Sequence, residues 1–146
     1  MNVRTLILVG AVSLANAIAS AAEFKSAQVY KSPTCGCCGN YIEYLKQNAI
    51  DVPVIDVPDT TAVKTKYGVP GALQSCHTSL VNDYVVKGHV PVGTLKKLVS
   101  EGRKIKGIAL PGMPPGSPGM EPMKPGTLTV YEIPKAGETP KVFSIE

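Results

Sequence analysis

The chain has no run of positive charge longer than the pair Lys96-Lys97, and no aromatic residues alternate with its lysines. Nucleic-acid binding therefore has no support. The formal net charge of +4 is spread along the sequence, and the lysines read as solvated surface residues. Structural zinc sites usually set two more ligands at fixed spacing beside paired cysteines, and that pattern is also missing, because Cys76 and His77 are adjacent rather than spaced. No internal repeat is visible. The apolar run Leu6 to Ile18 is interrupted by Gly10, Ser13 and Asn16, and it is too short and too rich in small residues for a comfortable membrane span.

That run reads instead as the middle of a secretory signal. Met1-Asn2-Val3-Arg4 supplies a short positive start, and Ala19-Ser20-Ala21 an A-x-A cleavage site, with Ser20-Ala21-Ala22 one step later. Residues 1–22 are thus expected to be a signal peptide cleaved near Ala21/Ala22. No cysteine follows the cleavage region to carry a lipid anchor. Removal of Arg4 with it leaves one mature domain, 23–146, with a charge of +3. About 125 residues suffice for one compact core. The expected location is the periplasm, with no stable membrane insertion.

Four cysteines in an exported chain ordinarily mean two structural disulfides. Their placement argues otherwise, since Cys35, Cys37 and Cys38 lie within four consecutive positions of Thr34-Cys35-Gly36-Cys37-Cys38-Gly39. More than one unstrained bridge among the three is impossible, and at most one of them reaches Cys76 as an ordinary staple. Ala27-Gln28-Val29-Tyr30 before the hexapeptide reads as a strand. After it, Ile42, Leu45 and Ala49 follow helical spacing, with Tyr41 and Tyr44 beside them. The cysteines therefore sit at a helix N-terminus, where free N–H groups and the dipole favour thiolates. Thiol pKa values there fall to roughly 3.5–7.5.

Further along, Asp51 to Val57 reads as a second strand with Pro53 at its start. Asp59 or Thr60 caps a short helix through Thr61–Tyr67 that Gly68 ends. A right-handed crossover makes the two strands parallel neighbours. Leu80 to Val86, with Asn82-Asp83 in its middle, fits either one bulged strand or a tight hairpin. Pro91 suits the first position of a helix running to Gly102. Ten of the sixteen residues from Pro111 to Gly126 are Pro or Gly, which excludes regular structure. Thr127–Ile133 and Lys141–Ile145 form a closing hairpin.

The soft and borderline metal donors of the mature chain are Cys35, Cys37, Cys38, Cys76, His77, His89, Met113, Met120 and Met123. Both histidines of the sequence are among them. Thiolate and thioether donors prefer Cu(I), and imidazole accepts Cu(I), Cu(II) or Zn(II). Methionine is a poor zinc ligand, so copper fits better. Bland alternatives stand beside each donor: Cys76 as a small buried apolar group, His77 as a surface or capping residue, His89 as a hydrogen-bonding residue near Pro91, and each methionine as a plain loop residue.

Cys35-Gly36-Cys37-Cys38 also reads as C-x-x-C between strand and helix, which resembles the redox site of thioredoxin-like proteins. There Cys35 attacks and Cys38 resolves, and Pro111 is the candidate for the proline opposite the cysteines. The order of elements agrees with an α/β, thioredoxin-like fold carrying an inserted Cys-His segment and a Pro/Gly/Met-rich loop.

Four motifs occur in order: Val29 to Cys38, Ser75-Cys76-His77-Thr78, Gly88-His89-Val90-Pro91 and Pro111-Gly112-Met113-Pro114. Together they resemble the exported copper-resistance proteins of the CopG type, over nearly all of the mature chain. The resemblance implies copper binding at the C-x-C-C turn, helped by the Cys-His pair, the second histidine and the Pro-Gly-Met loop. It also implies a periplasmic role in copper handling alongside other copper-handling proteins, with redox interconversion of copper as one form of it. Three cysteines this close make a polynuclear cluster a reasonable expectation. A thiol–disulfide oxidoreductase is the competing reading, but it has no use for Cys37, for Cys76-His77 or for the methionines, and a third thiol would compete for the mixed disulfide. A disulfide-stapled binding module would leave the histidines and methionines unexplained.

Overall fold

The structure, a computed structural model, describes residues 23–122 and 128–146. The signal peptide expected at 1–22 and the donor Met123 lie outside the described residues. Strands β1 (Gln28–Lys31), β2 (Val54–Asp56), β3 (Thr78–Val81), β4 (Tyr84–Lys87), β5 (Gly107–Ala109), β6 (Thr129–Glu132) and β7 (Val142–Ile145) form one mixed sheet in the order β2-β1-β3-β4-β5-β6-β7. Helices α1 (Gly36–Gln47), α2 (Thr60–Lys66) and α3 (Val92–Glu101) complete the described α/β fold.

The sheet buries both faces. On one, Tyr41, Ile42 and Leu45 of α1 and Leu95, Leu98 and Val99 of α3 pack with Val29, Val86, Ile108 and Val130. On the other, Val69, Leu73, Val85, Ala109 and Ile133 form a smaller cluster. Neighbours such as Val85 and Val86 therefore serve opposite cores, as the two-residue period of a strand requires. Burial of each large aliphatic chain contributes roughly 1.5–3 kcal/mol.

The early elements match expectation. β1 and β2 are parallel, in register Tyr30 with Ile55, and Asp59 caps α2 by accepting from the Thr61 N–H. The stretch from Leu80 to Val86 resolves as a hairpin. β3 and β4 pair antiparallel, and Asn82 makes the turn at φ 49°, a conformation that asparagine tolerates. The closing hairpin is β6–β7.

Two local expectations are corrected. α1 stops at Gln47, and Ala49 stands at φ 61° because the chain must turn at once to bridge Asp51 with Ser26. Pro91 caps α3 from outside, with extended backbone, and Val92 is the first helical residue. Pro111 follows β5, and the insert 112–128 separates it from the closing hairpin that begins with β6.

Candidate metal centre

The cysteine turn forms as its neighbours dictate: β1 ends, Cys35 takes the N-cap position with extended backbone, and α1 begins at Gly36. Cys35 and Cys38 then face each other across the first helical turn with Cα atoms 5.3 Å apart, and they form a disulfide. That distance is ordinary for such a bond. The expectation of three thiolates at the turn is thus altered for this oxidation state, because two of the sulfurs are bonded to each other. Cys37 and Cys76 are free and half-buried.

These two thiols lie at the centre of the donor cluster. Cys37 Sγ is 3.5 Å from Cys35 Sγ, 3.4 Å from Met113 Sδ and 4.0 Å from Cys76 Sγ. Cys76 Sγ is also 3.4 Å from His77 Nδ1 and 3.2 Å from His89 Nε2. Two groups of donors result, Cys35–Cys37–Cys38–Cys76 and Cys76–His77–His89, with the ligand atoms of each within 4.8 Å of one another. Cys76 belongs to both. Metal–ligand bonds of about 2.0–2.3 Å put neighbouring donors roughly 3.3–3.8 Å apart, so the spacing around Cys76 suits a shared ion.

The histidines are neither surface residues nor caps. Both are fully buried, with ring centroids 5.1 Å apart and 4.8 and 4.9 Å from the ring of Tyr41. Tyr41 is itself fully buried and donates from its hydroxyl to the Val90 carbonyl at 2.8 Å. His89 Nδ1 donates to the Pro118 carbonyl at 2.6 Å. A carbonyl only accepts, so the Nε2 lone pair is directed at Cys76, the arrangement by which an outer hydrogen bond fixes a metal-binding imidazole. His77 Nε2 is buried without a partner.

Electrostatics keep these groups neutral in the absence of a cation. Burial, then the facing charges of His89 and Lys87, holds the His77 pKa well below its ordinary value. Burial lowers that of His89, against the opposing effect of its bond to Pro118. Burial, with Cys37 nearby, pushes the Cys76 thiol up to about 11. A site that resists protonated imidazole and bare thiolate alike is one in which a soft cation supplies the missing charge.

The loop after β5 is tied to this cluster. Ser75 Oγ donates to the Gly112 carbonyl, Gly112 N–H donates to Gln74 at 2.8 Å, and Asn40 Nδ2 donates to the Gly119 carbonyl at 3.3 Å. These bonds bring Met113, which is 45% exposed, over Cys37. Met120 is not brought to the donors by any described contact; its backbone N–H donates to Ser117.

Sequence reasoning missed three contributors. Tyr41, placed only beside the apolar residues of the cysteine helix, walls the histidines. The Pro118 carbonyl carries no side-chain signal. Lys87 contradicts the reading of the lysines as solvated: it is fully buried, and burial lowers its pKa to about 7. It ends β4 opposite Thr78, on a strand with cores on both sides. Among the described residues, no helix is long and apolar enough to cross a membrane.

Comparison with known proteins gives two kinds of match. A family profile described as "Protein of unknown function, DUF411" matches residues 73–120, the stretch that holds Cys76, His77, His89, Met113 and Met120. Two solved structures, described as "Copper resistance protein copG- Form 1" and "Form 2", are each 35% identical to this chain over 85% of its length. They superpose with TM-scores of 0.74 and 0.75, covering 98% and 99% of those chains. No curated protein matches.

Proposed function

The chain belongs to the family of the copper resistance protein CopG, and from that membership we propose that it binds copper in the service of copper resistance, through the donors around Cys76. The observation that carries the reading is the sharing of one thiol between two donor groups. Cys37, Cys76, His77, His89 and Met113 form the primary set, and Cys35 and Cys38 join it when their disulfide is reduced. Met120 and Met123 remain candidates of lower standing. Thiolate and thioether favour Cu(I), while the two imidazoles also tolerate Cu(II). A shared thiolate can bridge, which supports a polynuclear site.

The fold reading extends in the same direction. The order β2-β1-β3-β4, with α1 and α2 as connections, supports a thioredoxin-like unit to which β5–β7 and the Pro/Gly/Met loop are added within one domain, 23–146. In this reading the β3–β4 hairpin takes the place assigned to the closing hairpin, and Cys76-His77 rather than Pro111 stand before it. The hydrophobic N-terminus supports export and cleavage near Ala21/Ala22, hence a periplasmic site of action. Exposed Met113 supports copper exchange with other copper-handling proteins there.

Metal analysis of protein purified from copper-supplemented cells tests the reading, together with Cu(I) competition against a chromogenic chelator. Copper that is retained in the parent and lost in a Cys37, Cys76 double-serine variant is the expected result. Equal retention in both would refute it.

The disulfide favours a second activity at the same turn. Two thiols can reduce two Cu(II) ions: Cys35 and Cys38 lose two protons and two electrons, their S–S bond forms, and two Cu(I) result. Anaerobic addition of Cu(II) to reduced protein should then consume two thiols per two Cu(I) formed; thiols that persist while Cu(II) binds would exclude this step. Disulfide reduction of a protein substrate that is independent of copper would favour the oxidoreductase alternative instead.

A further inference from the structure

Lys87 is a long charged side chain with no exposed surface, and it is among the largest fully buried side chains of the protein. Its Nζ donates to the His77 carbonyl at 2.5 Å and to Thr78 Oγ1 at 3.2 Å. Among the described residues no carboxylate pairs with it, although five other ion pairs occur. Burial of an amine against two neutral acceptors is costly. A leucine or methionine of similar volume would serve the core better, as replacement of buried polar pairs by apolar residues often does. Lysines otherwise extend their heads to water. The amine is therefore retained for what it holds.

What it holds is the peptide group of His77. β3 begins one residue later, and β4 ends at Lys87 directly opposite Thr78, so the side chain reaches back beneath the Cys76-His77 segment. The next residue fixes the other imidazole. Gly88 stands at φ +81°, and a Cβ there would lie 2.4 Å from the Leu110 carbonyl oxygen and 2.8 Å from Ser75 Oγ. Only glycine makes that turn, and it delivers His89 beside Cys76. Lys87-Gly88 thus sets both histidines, one by a hydrogen bond and one by a corner.

We propose that Lys87 is a positioning residue of the metal centre: by holding the His77 carbonyl it fixes the Cys76-His77 peptide so that Cys76 Sγ and His77 Nδ1 converge with His89 Nε2. The proposal rests on the copper reading above. It assigns to a residue outside the donor set a role of the kind that outer hydrogen bonds play for metal ligands, whose loss weakens binding by about 10–100-fold.

The test is Lys87→Met, which keeps the length and removes the donor. Cu(I) affinity by competition and the absorption spectrum of the Cu(II)-loaded protein are read beside thermal unfolding of the copper-free protein. A role confined to the fold would move the unfolding midpoint alone. The expected result is Cu(I) binding weakened by about 10–100-fold with a shifted thiolate-to-copper band. Thr78→Val, which removes the other acceptor from Nζ, should weaken binding in the same direction by less, and it decides the matter if Lys87→Met does not accumulate folded. Cys76→Ser is run in parallel. Parent-like copper binding and spectrum in the folded Lys87→Met or Thr78→Val protein, with Cys76→Ser impaired, overturn the assignment of Lys87 alone. Parent-like behaviour in all of them overturns the copper reading with it.

Discussion

Replacement of Cys76 by serine is the sharpest perturbation available to the proposed site. The exchange is nearly isosteric at a half-buried position, so the fold should survive it. Its effect on donors is large, because Cys76 Sγ lies 3.2, 3.4 and 4.0 Å from His89, His77 and Cys37 and Cys76 belongs to both donor groups. Without it the two imidazoles are grouped with no thiol, and Cys37 keeps Met113 and the disulfide beside it. Loss of an outer hydrogen bond to a metal ligand already weakens binding by about 10–100-fold. Loss of a bridging ligand must exceed the upper end of that range, at least about 100-fold or roughly 2.8 kcal/mol. The direction of the redox effect follows from softness: a hydroxyl disfavours Cu(I) relative to thiolate, so the Cu(II)/Cu(I) potential should fall.

The assay is an anaerobic titration of copper-free parent and variant against a chromogenic Cu(I) chelator, with voltammetry of the loaded proteins and copper tolerance of cells carrying each. A Cys76→Ser protein with an unchanged unfolding midpoint and Cu(I) affinity within about threefold of the parent, a difference under roughly 0.7 kcal/mol, would refute the reasoning.

Three further outcomes follow from the geometry. Gly119→Ala places a Cβ 2.7 Å from the Tyr41 backbone nitrogen at φ +78°, so the loop must shift and draw the Pro118 carbonyl from His89; copper binding should weaken by about 10-fold or more, whereas Gly112→Ala, with open space around its Cβ, should be milder. Equal effects of the two in the chelator titration would count against a role for the Pro118 contact. The copper-free protein should lose stability on the acid side. Both histidines have folded pKa values below the ordinary one, so their contribution to stability is complete above about pH 6.5 and is lost below it, by up to about 1.4 kcal/mol per pH unit for each histidine. Lys87, brought to about 7, is protonated in both states below that and adds no slope there; urea unfolding that is flat between about pH 5 and 6.5 would contradict buried neutral imidazoles. Met113→Leu, a near-isosteric change, should weaken Cu(I) binding while leaving the unfolding midpoint in place, and unchanged affinity would remove Met113 from the donor set.

What the sequence made legible was what is local. The strand before the cysteines, the helix start at them, the Asp59 cap and the closing hairpin each follow from residues a few positions apart. The soft-metal character of the donors was legible too, because donor type is a property of composition. The assembly of the donors was not. Contacts between Cys37 and Cys76, between Cys37 and Met113, and between Cys76 and His89 span from 13 to 76 positions, and no periodicity encodes them. The same limit hid Lys87, whose burial comes from a sheet covered on both faces rather than from its neighbours in sequence. The choice between bulge and hairpin at Asn82 turned on one positive φ that asparagine permits without requiring. Ala49 was misplaced because helical spacing continues past the point where the backbone must turn to reach β2.

The described contacts also bear on how the site is held. A Pro/Gly-rich segment suggests a loop that orders only when metal arrives, yet residues 112–119 are already anchored by bonds to Ser75, Gln74, Asn40 and His89. Gly88 and Gly119 bring main chain within 3 Å of where a Cβ would stand, so separate segments of the chain meet at distances that side chains elsewhere would forbid. Little ordering entropy then remains to oppose binding, since a residue fixed in advance no longer costs about 1–2 kcal/mol of backbone freedom when the ligand arrives. Glycine and proline here act in complementary ways: proline narrows the unfolded chain, and glycine permits the close approach. Under the proposed copper reading a soft cation would meet donors whose spacing is set by backbone rather than by the metal, which favours tight binding and leaves Met113 exposed at the surface.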